Sequence, residues 1–200
     1  VAIERELSVI VARSRSGKLA VFPPVAMDFV PTANLLDKLV APAPVAEHVA
    51  ARAVELARGL TAELGLVGLL AVEMFLDRRG EILVNELAPR PHNSGHHTIE
   101  ASETSQYEQH LRALLDLPLG PTSTRPAVMV NLLGAAGYEG APVVEGEARW
   151  RDDEEVTLHL YGKKQTRPFR KMGHATVVSA SLEAAMAKAD EVKRTVIIRS

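Results

Sequence analysis

The chain has 200 residues, 46% of them hydrophobic, with a formal net charge of −2 and no cysteine. That length suits one large domain or two small ones with a real core. The charge gives no global reason to bind nucleic acid or a membrane, and the missing thiols exclude disulfides and thiolate metal sites and agree with a reducing compartment. No apolar run approaches the ~18 residues of a membrane span, and no signal peptide is visible. The first residues, Val1-Ala2-Ile3-Glu4, lack Met and enter a strand-like run directly, which reads as the middle of a longer protein.

In chain order, Glu6 to Arg13 and Lys18 to Phe22 flank Ser14-Arg15-Ser16-Gly17 and predict a hairpin. Residues 23–44 carry five prolines and read as an irregular connection. Val45, Val49, Leu56, Leu60 and Leu64 recur at helical spacing, with Gly65 as a stop signal. Ser105-Gln106-Tyr107-Glu108 has the form of a capping box, and Tyr107, Leu111, Leu114 and Leu115 give that helix an apolar face. Pro118-Leu119-Gly120-Pro121 ends it. A domain boundary is expected near residue 121, giving domains 1–120 and 121–200. Beyond it, residues 127–133, 156–161 and 175–178 predict strands, 182–193 a helix and 196–198 a last strand. Residues 145–155 read as an acidic, irregular, solvated loop.

Between the two helices lie Leu69 to Leu76 and Glu81 to Val84, separated by the turn residues Asp77-Arg78-Arg79-Gly80. If those four residues form the loop, Leu76 pairs with Glu81 and Glu73 falls opposite Val84. Side chains alternate along a strand, so Glu86 shares the face of Val84 and becomes a diagonal neighbour of Glu73, roughly 7–8 Å away at Cα. Two carboxylates that close repel, and a cation between them removes the conflict. Oxygen ligands without Cys suit Mg²⁺ or Mn²⁺, and Mg²⁺ on few carboxylates usually also holds phosphates. Asn85 adds a nearby amide oxygen, although its side chain starts on the opposite face. The alternative is a pair of surface glutamates on a solvated hairpin.

The second strand runs into Asn85-Glu86-Leu87-Ala88-Pro89-Arg90-Pro91-His92-Asn93-Ser94-Gly95-His96. These twelve residues supply a carboxylate, a guanidinium, two imidazoles, two carboxamides and a hydroxyl. A zinc site on His92, His96 and His97 lacks Cys, and Pro91 and Gly95 disfavour one helix carrying His92 and His96. Ser94 beside His96 could be read as nucleophile and base, but no G-x-S-x-G elbow is present. A second cluster, Lys163 to His174, holds five cations within nine residues. Pro168 and Gly173 suggest a fixed loop that could grip a phosphate through Arg forks and backbone N–H groups. The alternative is a solvated basic loop. A nucleic-acid patch is disfavoured because aromatics are few and no other basic face exists.

Six blocks, in order, resemble one family: Glu6 to Arg13; Ala71-Val72-Glu73-Met74-Phe75; Asn85 to His96; Ser105 to Arg112; Val128 to Gly134; and Tyr161-Gly162-Lys163 with Arg170-Lys171-Met172-Gly173-His174. The resemblance is to the 5-(carboxyamino)imidazole ribonucleotide synthase family, the ATPase subunit of phosphoribosylaminoimidazole carboxylase, within the ATP-grasp superfamily. It implies an α+β fold: the C-terminal part of an ATP-grasp domain, an antiparallel sheet with flanking helices, followed by a small β-rich C-terminal domain. It implies ATP-dependent carboxylation of 5-aminoimidazole ribonucleotide with bicarbonate through carboxyphosphate, in purine biosynthesis. By the same resemblance, Glu73 and Glu86 would hold Mg²⁺ on the ATP phosphates, Asn85 would assist, and Glu6 would lie in the ATP site. Arg90, His92, Asn93, Ser94 and His96 would line the bicarbonate and ribonucleotide end. Lys163 and Arg170 would bind the ribonucleotide 5′-phosphate. A homodimer of the full-length enzyme in the cytoplasm is implied, with no nucleic-acid or membrane partner.

Two departures stand out. Family members carry a Glu-Asn-x-His stretch where this chain has Val25-Ala26-Met27-Asp28-Phe29-Val30, so no ATP-binding His is assigned there. The family's N-terminal nucleotide-fold domain and glycine-rich lid precede the segment that matches residue 1, so residues 1–200 are expected to be inactive alone. Two other readings remain: another ATP-grasp carboxylate-amine ligase, and a non-catalytic nucleotide- or anion-binding module.

Overall fold

A computed structural model describes residues 2–30 and 35–200. The chain divides into two compact units, one built from residues up to Asp28 with Val40–Arg125, the other from Phe29–Leu39 with Pro126–Ser200.

The first unit is a mixed-length antiparallel sheet in the order β6-β5-β1-β3, with β2 also on β1. Its strands are β1 (Ile3–Arg13), β2 (Leu19–Val21), β3 (Val25–Val30), β5 (Gly68–Asp77) and β6 (Ile82–Ala88). Six consecutive residues of β1, Leu7 to Ala12, are buried, as expected of a strand covered on both faces. The predicted first hairpin is present, with Arg13 opposite Leu19.

The expectation of an irregular 23–44 segment is corrected. It contains β3 and β4 (Leu35–Ala41). Pro23 and Pro24 precede β3, and Pro42 and Pro44 follow β4, so those prolines sit where no ladder N–H is needed. Pro31 lies outside the described residues.

Helix α1 (Glu47–Glu63) runs where its periodicity predicts, and Gly65 takes a left-handed φ of 60° just past its end. Its buried stripe, however, is Val49, Ala53, Ala57 and Thr61, a strict four-residue row, while Leu64 is exposed. Helix α3 (Gln106–Leu114) differs more sharply. The Ser105 hydroxyl accepts from the Glu108 N–H as the cap predicts, but Gln106, Gln109 and Ala113 are buried, while Tyr107, Leu111, Leu114 and Leu115 are exposed. The glutamines go inward because each clamps a peptide group. Gln109 donates to Gly120 O at 2.8 Å and accepts from Gly120 N at 2.9 Å.

The second unit carries strands in the order β4-β7-β10-β9, where β7 is Ala127–Leu133, β9 Val156–Leu160 and β10 Lys171–Val178. Helix α4 (Leu182–Thr195), capped by the Ser181 hydroxyl, buries Ala185, Ala189 and Val192. The segment 145–155 is solvated as expected apart from Trp150, but it is not wholly irregular. Strand β8 (Val143–Glu145) pairs with β11 (Ile197–Arg199), and a 3-10 turn, Glu147–Trp150, buries Trp150. The Trp150 indole donates to Thr195 Oγ1 at 2.9 Å. Gly146 makes this possible: its φ is 76°, and a Cβ there would lie 1.9 Å from Thr195 O. Among the described residues, no helix is long and apolar enough to cross a membrane.

Candidate functional site

In the first unit, the β5–β6 hairpin is present with a different register from the one expected. Asp77 caps its turn by accepting from Arg79 N and Glu81 N, which holds its carboxyl below the usual range, and Leu76 pairs with Ile82. That shift of one residue would turn Glu86 to the face opposite Glu73. A bulge between Glu73 and Met74 reverses it: Met74 pairs with Val84, Asn85 is the extra residue, and Glu86 lands directly opposite Glu73. The two carboxylates are therefore direct neighbours rather than diagonal ones.

Pairing continues to β1, where Ser8 is opposite Glu73 and Glu6 is opposite Phe75. Directly paired residues share a face, as do residues two apart. Glu6, Ser8, Glu73 and Glu86 thus form a polar patch on one face of an otherwise apolar sheet. Burial pushes the Glu6 carboxyl up from its ordinary value. The resemblance alone had suggested Glu6; the register supplies a physical reason for it.

The stretch after β6 contacts the same face. Its 3-10 turn, Asn93–Gly95, leads into the short α2 (Thr98–Ala101). Ser94 is 1% exposed, and its hydroxyl lies 2.8 Å from Ser8 Oγ and 2.9 Å from His92 Nδ1. The Ser94 backbone N–H also points at Nδ1 from 3.4 Å, which makes Nδ1 an acceptor. The His92 proton then belongs on Nε2, 3.5 Å from Glu73 Oε1. Buried between Ser8 and His92, Ser94 is a link in a chain and not an exposed nucleophile. His96 is not its partner.

His96 instead meets α3. Its Nδ1 lies 3.2 Å from Gln106 Nε2 and 3.0 Å from the Tyr107 hydroxyl. Gln106, fully buried, accepts from His92 N at 2.9 Å and donates to His92 O at 2.8 Å. Gly95 is required for that fit, since a Cβ there would lie 2.4 Å from Ile10 Cδ1 and 2.5 Å from Gln106 Oε1. His97 is wholly buried, and burial pulls its pKa down to about 4, so its ring stays neutral. Among the described residues, His92, His96 and His97 form no group that could hold a metal ion. Arg90, Asn85 and Glu86 are exposed, and Arg90 donates to Pro91 O at 3.1 Å. Among the described residues, Asn93 Nδ2 is buried with no hydrogen-bond partner.

Two residues of this site, Ser8 and Gln106, lie outside the polar stretches that the sequence pattern singles out. Ser8 interrupts the apolar run of β1 two residues after Glu6, and Gln106 and Gln109 stand three apart on one helix. Both were available signals.

The second unit carries Lys163 and Arg170. The loop joining β9 to β10 spans residues 161–170, so Lys171 to Gly173 belong to a strand rather than the loop. Backbone bonds pin it: Thr166 and Gly140 exchange two, Phe169 N donates to Gly134 O, and Gly134 N donates to Arg170 O. A Cβ on Gly134 would lie 2.2 Å from Arg167 O. Lys163 donates to Lys171 O, its ammonium 5.6 Å from the Tyr161 ring centre, and Arg170 donates to Gln165 O at 3.0 Å. Lys164 and Arg167 are exposed. His174, buried in β10, stacks on His159 at 4.5 Å and lies 2.9 Å from the Tyr161 hydroxyl, so it packs the loop's base.

A paired-carboxylate hairpin at the edge of an antiparallel sheet, followed by a polar turn over the same face, defines the class. The ATP-grasp domain model matches residues 1–107, and that of the phosphoribosylaminoimidazole carboxylase C-terminal domain matches residues 127–188. The N5-carboxyaminoimidazole ribonucleotide synthase of Bacillus subtilis is 48% identical over 177 residues, covering 88% of this chain and 44% of that protein. The crystal structure of the Thermotoga maritima N5-carboxyaminoimidazole ribonucleotide synthetase superposes with a TM-score of 0.93 at 50% identity, over 100% of this chain and 54% of that one. An Aspergillus clavatus N5-carboxyaminoimidazole synthase, in complex with ADP and 5-aminoimidazole ribonucleotide, superposes with a TM-score of 0.82 at 31% identity, over 97% of this chain and 52% of that one. The chain belongs to the N5-carboxyaminoimidazole ribonucleotide synthase family of ATP-grasp proteins. It spans about half the length of the relatives it matches.

Proposed function

We propose that residues 1–200 are the part of an ATP-dependent ligase that binds the ATP phosphates and the acceptor nucleotide. The reaction is carboxylation of 5-aminoimidazole ribonucleotide by bicarbonate. A bicarbonate oxygen attacks the γ-phosphorus and ADP leaves; the ribonucleotide amine then attacks the carboxyl carbon, phosphate leaves and the amine loses a proton. The observation that carries this reading is the direct opposition of Glu73 and Glu86, created by the bulge at Asn85, with the His92–Ser94 turn on the same face.

The donor set fits a hard divalent ion. Among the described residues no cluster of three or more His, Asp or Glu could hold a metal without help. Two carboxylates that need phosphate oxygens to complete a shell are what Mg²⁺ on ATP uses. When bound there, the ion would neutralise charge on the transferring phosphoryl group. Glu73 and Glu86 would hold it, and Asn85 would assist. Glu6 would face the nucleotide. Arg90, His92, Asn93 and His96 would contact bicarbonate and the acceptor, with Ser94 fixing the His92 ring. In the second unit, Lys163 and Arg170 would hold the ribonucleotide 5′-phosphate as a point charge and a fork. Bicarbonate, the divalent ion, a homodimeric full-length enzyme and a cytoplasmic setting all belong to this reading.

The test is an assay of the intact gene product with ATP, bicarbonate and 5-aminoimidazole ribonucleotide. Stoichiometric ADP, phosphate and carboxylated ribonucleotide are expected. Glu86→Ala should cost at least ~3 kcal/mol of barrier, roughly two decades in rate. Turnover with other amines in preference to this one would replace the substrate, and ADP formation in no condition would leave a non-catalytic binding module.

A further inference from the structure

Gln106 sits under the turn that holds two of the site's histidines, and its orientation is fixed without reference to either ring. Its Oε1 accepts from His92 N and its Nε2 donates to His92 O. Flipping the amide would set donor against donor and acceptor against acceptor at both contacts. The amide nitrogen is therefore the end that faces His96.

That nitrogen has two protons. One goes to His92 O, and the other points at His96 Nδ1 from 3.2 Å. An amide N–H₂ has no lone pair to offer, so Nδ1 must be the acceptor. The Tyr107 hydroxyl, 3.0 Å from the same atom, can donate or accept and so does not decide the matter. Burial pushes the Tyr107 phenol up, against a smaller opposing pull from a hydrogen bond with the Gln106 side chain, and the phenol keeps its proton. His97 also faces His96, and burial keeps it neutral.

We propose that Gln106 is a positioning residue that locks His96 as the tautomer protonated on Nε2. Its basic nitrogen is spent on α3, and His96 can act in the site only as a hydrogen-bond donor. Resting on the function proposed above, its role is to stabilise an oxyanion of the carboxyl donor and not to remove the amine proton. Gln106, in the first turn of α3, thereby chooses the chemistry of a residue ten positions upstream.

The test is nitrogen-15 NMR of histidine-labelled chain, 200 residues, with His96 assigned by comparison with His96→Gln among the seven histidines. Wild type should show a pyridine-type shift at Nδ1 and a pyrrole-type shift at Nε2. Gln106→Glu replaces the donor with an acceptor and should put a proton on Nδ1 at neutral pH. A pyrrole-type Nδ1 in wild type, or an unprotonated Nδ1 in folded Gln106→Glu, would overturn the proposal. If Gln106→Glu does not fold, Gln106→Met serves: averaging between tautomers is expected, and unchanged ring shifts would contradict the assignment. In the intact gene product, Gln106→Glu should lower kcat for carboxylation by about tenfold or more while the KM for ATP stays fixed. The NMR result does not depend on the reaction, so failure of the tautomer and failure of the proposed function are separately visible.

Discussion

The stretch from Asn85 to His96 and the loop from Tyr161 to Arg170 look alike as sequence: short, polar, and shaped by proline and glycine. They are built on opposite plans. In the first, side chains hold side chains. Ser8, Ser94, His92 and Glu73 form one chain, and Gln106 ties it to a helix. In the second, the backbone holds itself, through Gly134 and Gly140, while Lys163 reaches a carbonyl at the start of β10 and Arg170 one within the loop. The first plan fixes ring orientation and proton position. The second fixes only where two cations start, which suits a mobile, highly charged ligand group such as a phosphate. The first region should thus be brittle in folding, and the second tolerant in folding but sensitive in binding.

The largest expected effect lies beside the first region. Buried His97 binds a proton in the unfolded chain near 6.5 but in the folded chain only near 4. Between those values the unfolded state holds more protons, so stability rises with pH and is lost as pH falls from 6.5 towards 4, by about 3 kcal/mol in total. Denaturant midpoints across that window should fall in wild type and be flatter in His97→Gln; identical pH slopes would show that His97 does not titrate this way. Next, Gly95→Ala should destabilise by about 1–3 kcal/mol, because Ile10 and the clamped Gln106 leave no room for a Cβ. A neutral Gly95→Ala would mean that the turn is softer than the comparison requires.

The second region should answer differently. Arg170→Ala should leave thermal stability within about 0.5 kcal/mol of wild type. In the intact gene product it should raise the KM for the ribonucleotide by about one to two decades, each charged hydrogen bond contributing roughly 1.5–3 kcal/mol. Arg170→Lys should recover only part, since the planar fork is lost. Lys164→Ala is the control, with little effect expected. Equal, small changes at Lys163, Lys164 and Arg170 would reduce this loop to a solvated basic segment. The smallest effect concerns the α3 face. Leu115 is 67% exposed, so Leu115→Ala should cost less than about 0.5 kcal/mol, whereas a core-facing leucine would cost several times that.

That last contrast bears on what was legible in the sequence. The helices were found by periodicity, but periodicity weights large apolar residues, and these helices lie on their sheets through small ones: Ala53 and Ala57, Ala113, Ala185 and Ala189. Close approach to a sheet selects alanine, and leucines are left at the margin. The strands at 25–30 and 35–41 were hidden by prolines that flank them. Trp150 was hidden by the acidic residues around it. In the site, the pairing of Glu73 with Glu86 was inferred from a register off by one, and the bulge that sets it right leaves no mark in composition. The polar residues of Asn85–His96 were conspicuous. Their partners Ser8 and Gln106 were not, because a lone serine in a strand and a glutamine after a helix cap are ordinary in isolation.

The central claim is that the bulge places Glu73 and Glu86 to share a divalent ion with ATP. The most direct measurement is the Mg²⁺ dependence of turnover by the intact gene product and its Glu73→Gln and Glu86→Gln variants. The account predicts that both variants lose about two decades of rate and need more Mg²⁺ for half-maximal activity. Near-wild-type turnover with unchanged Mg²⁺ dependence in both variants would contradict it.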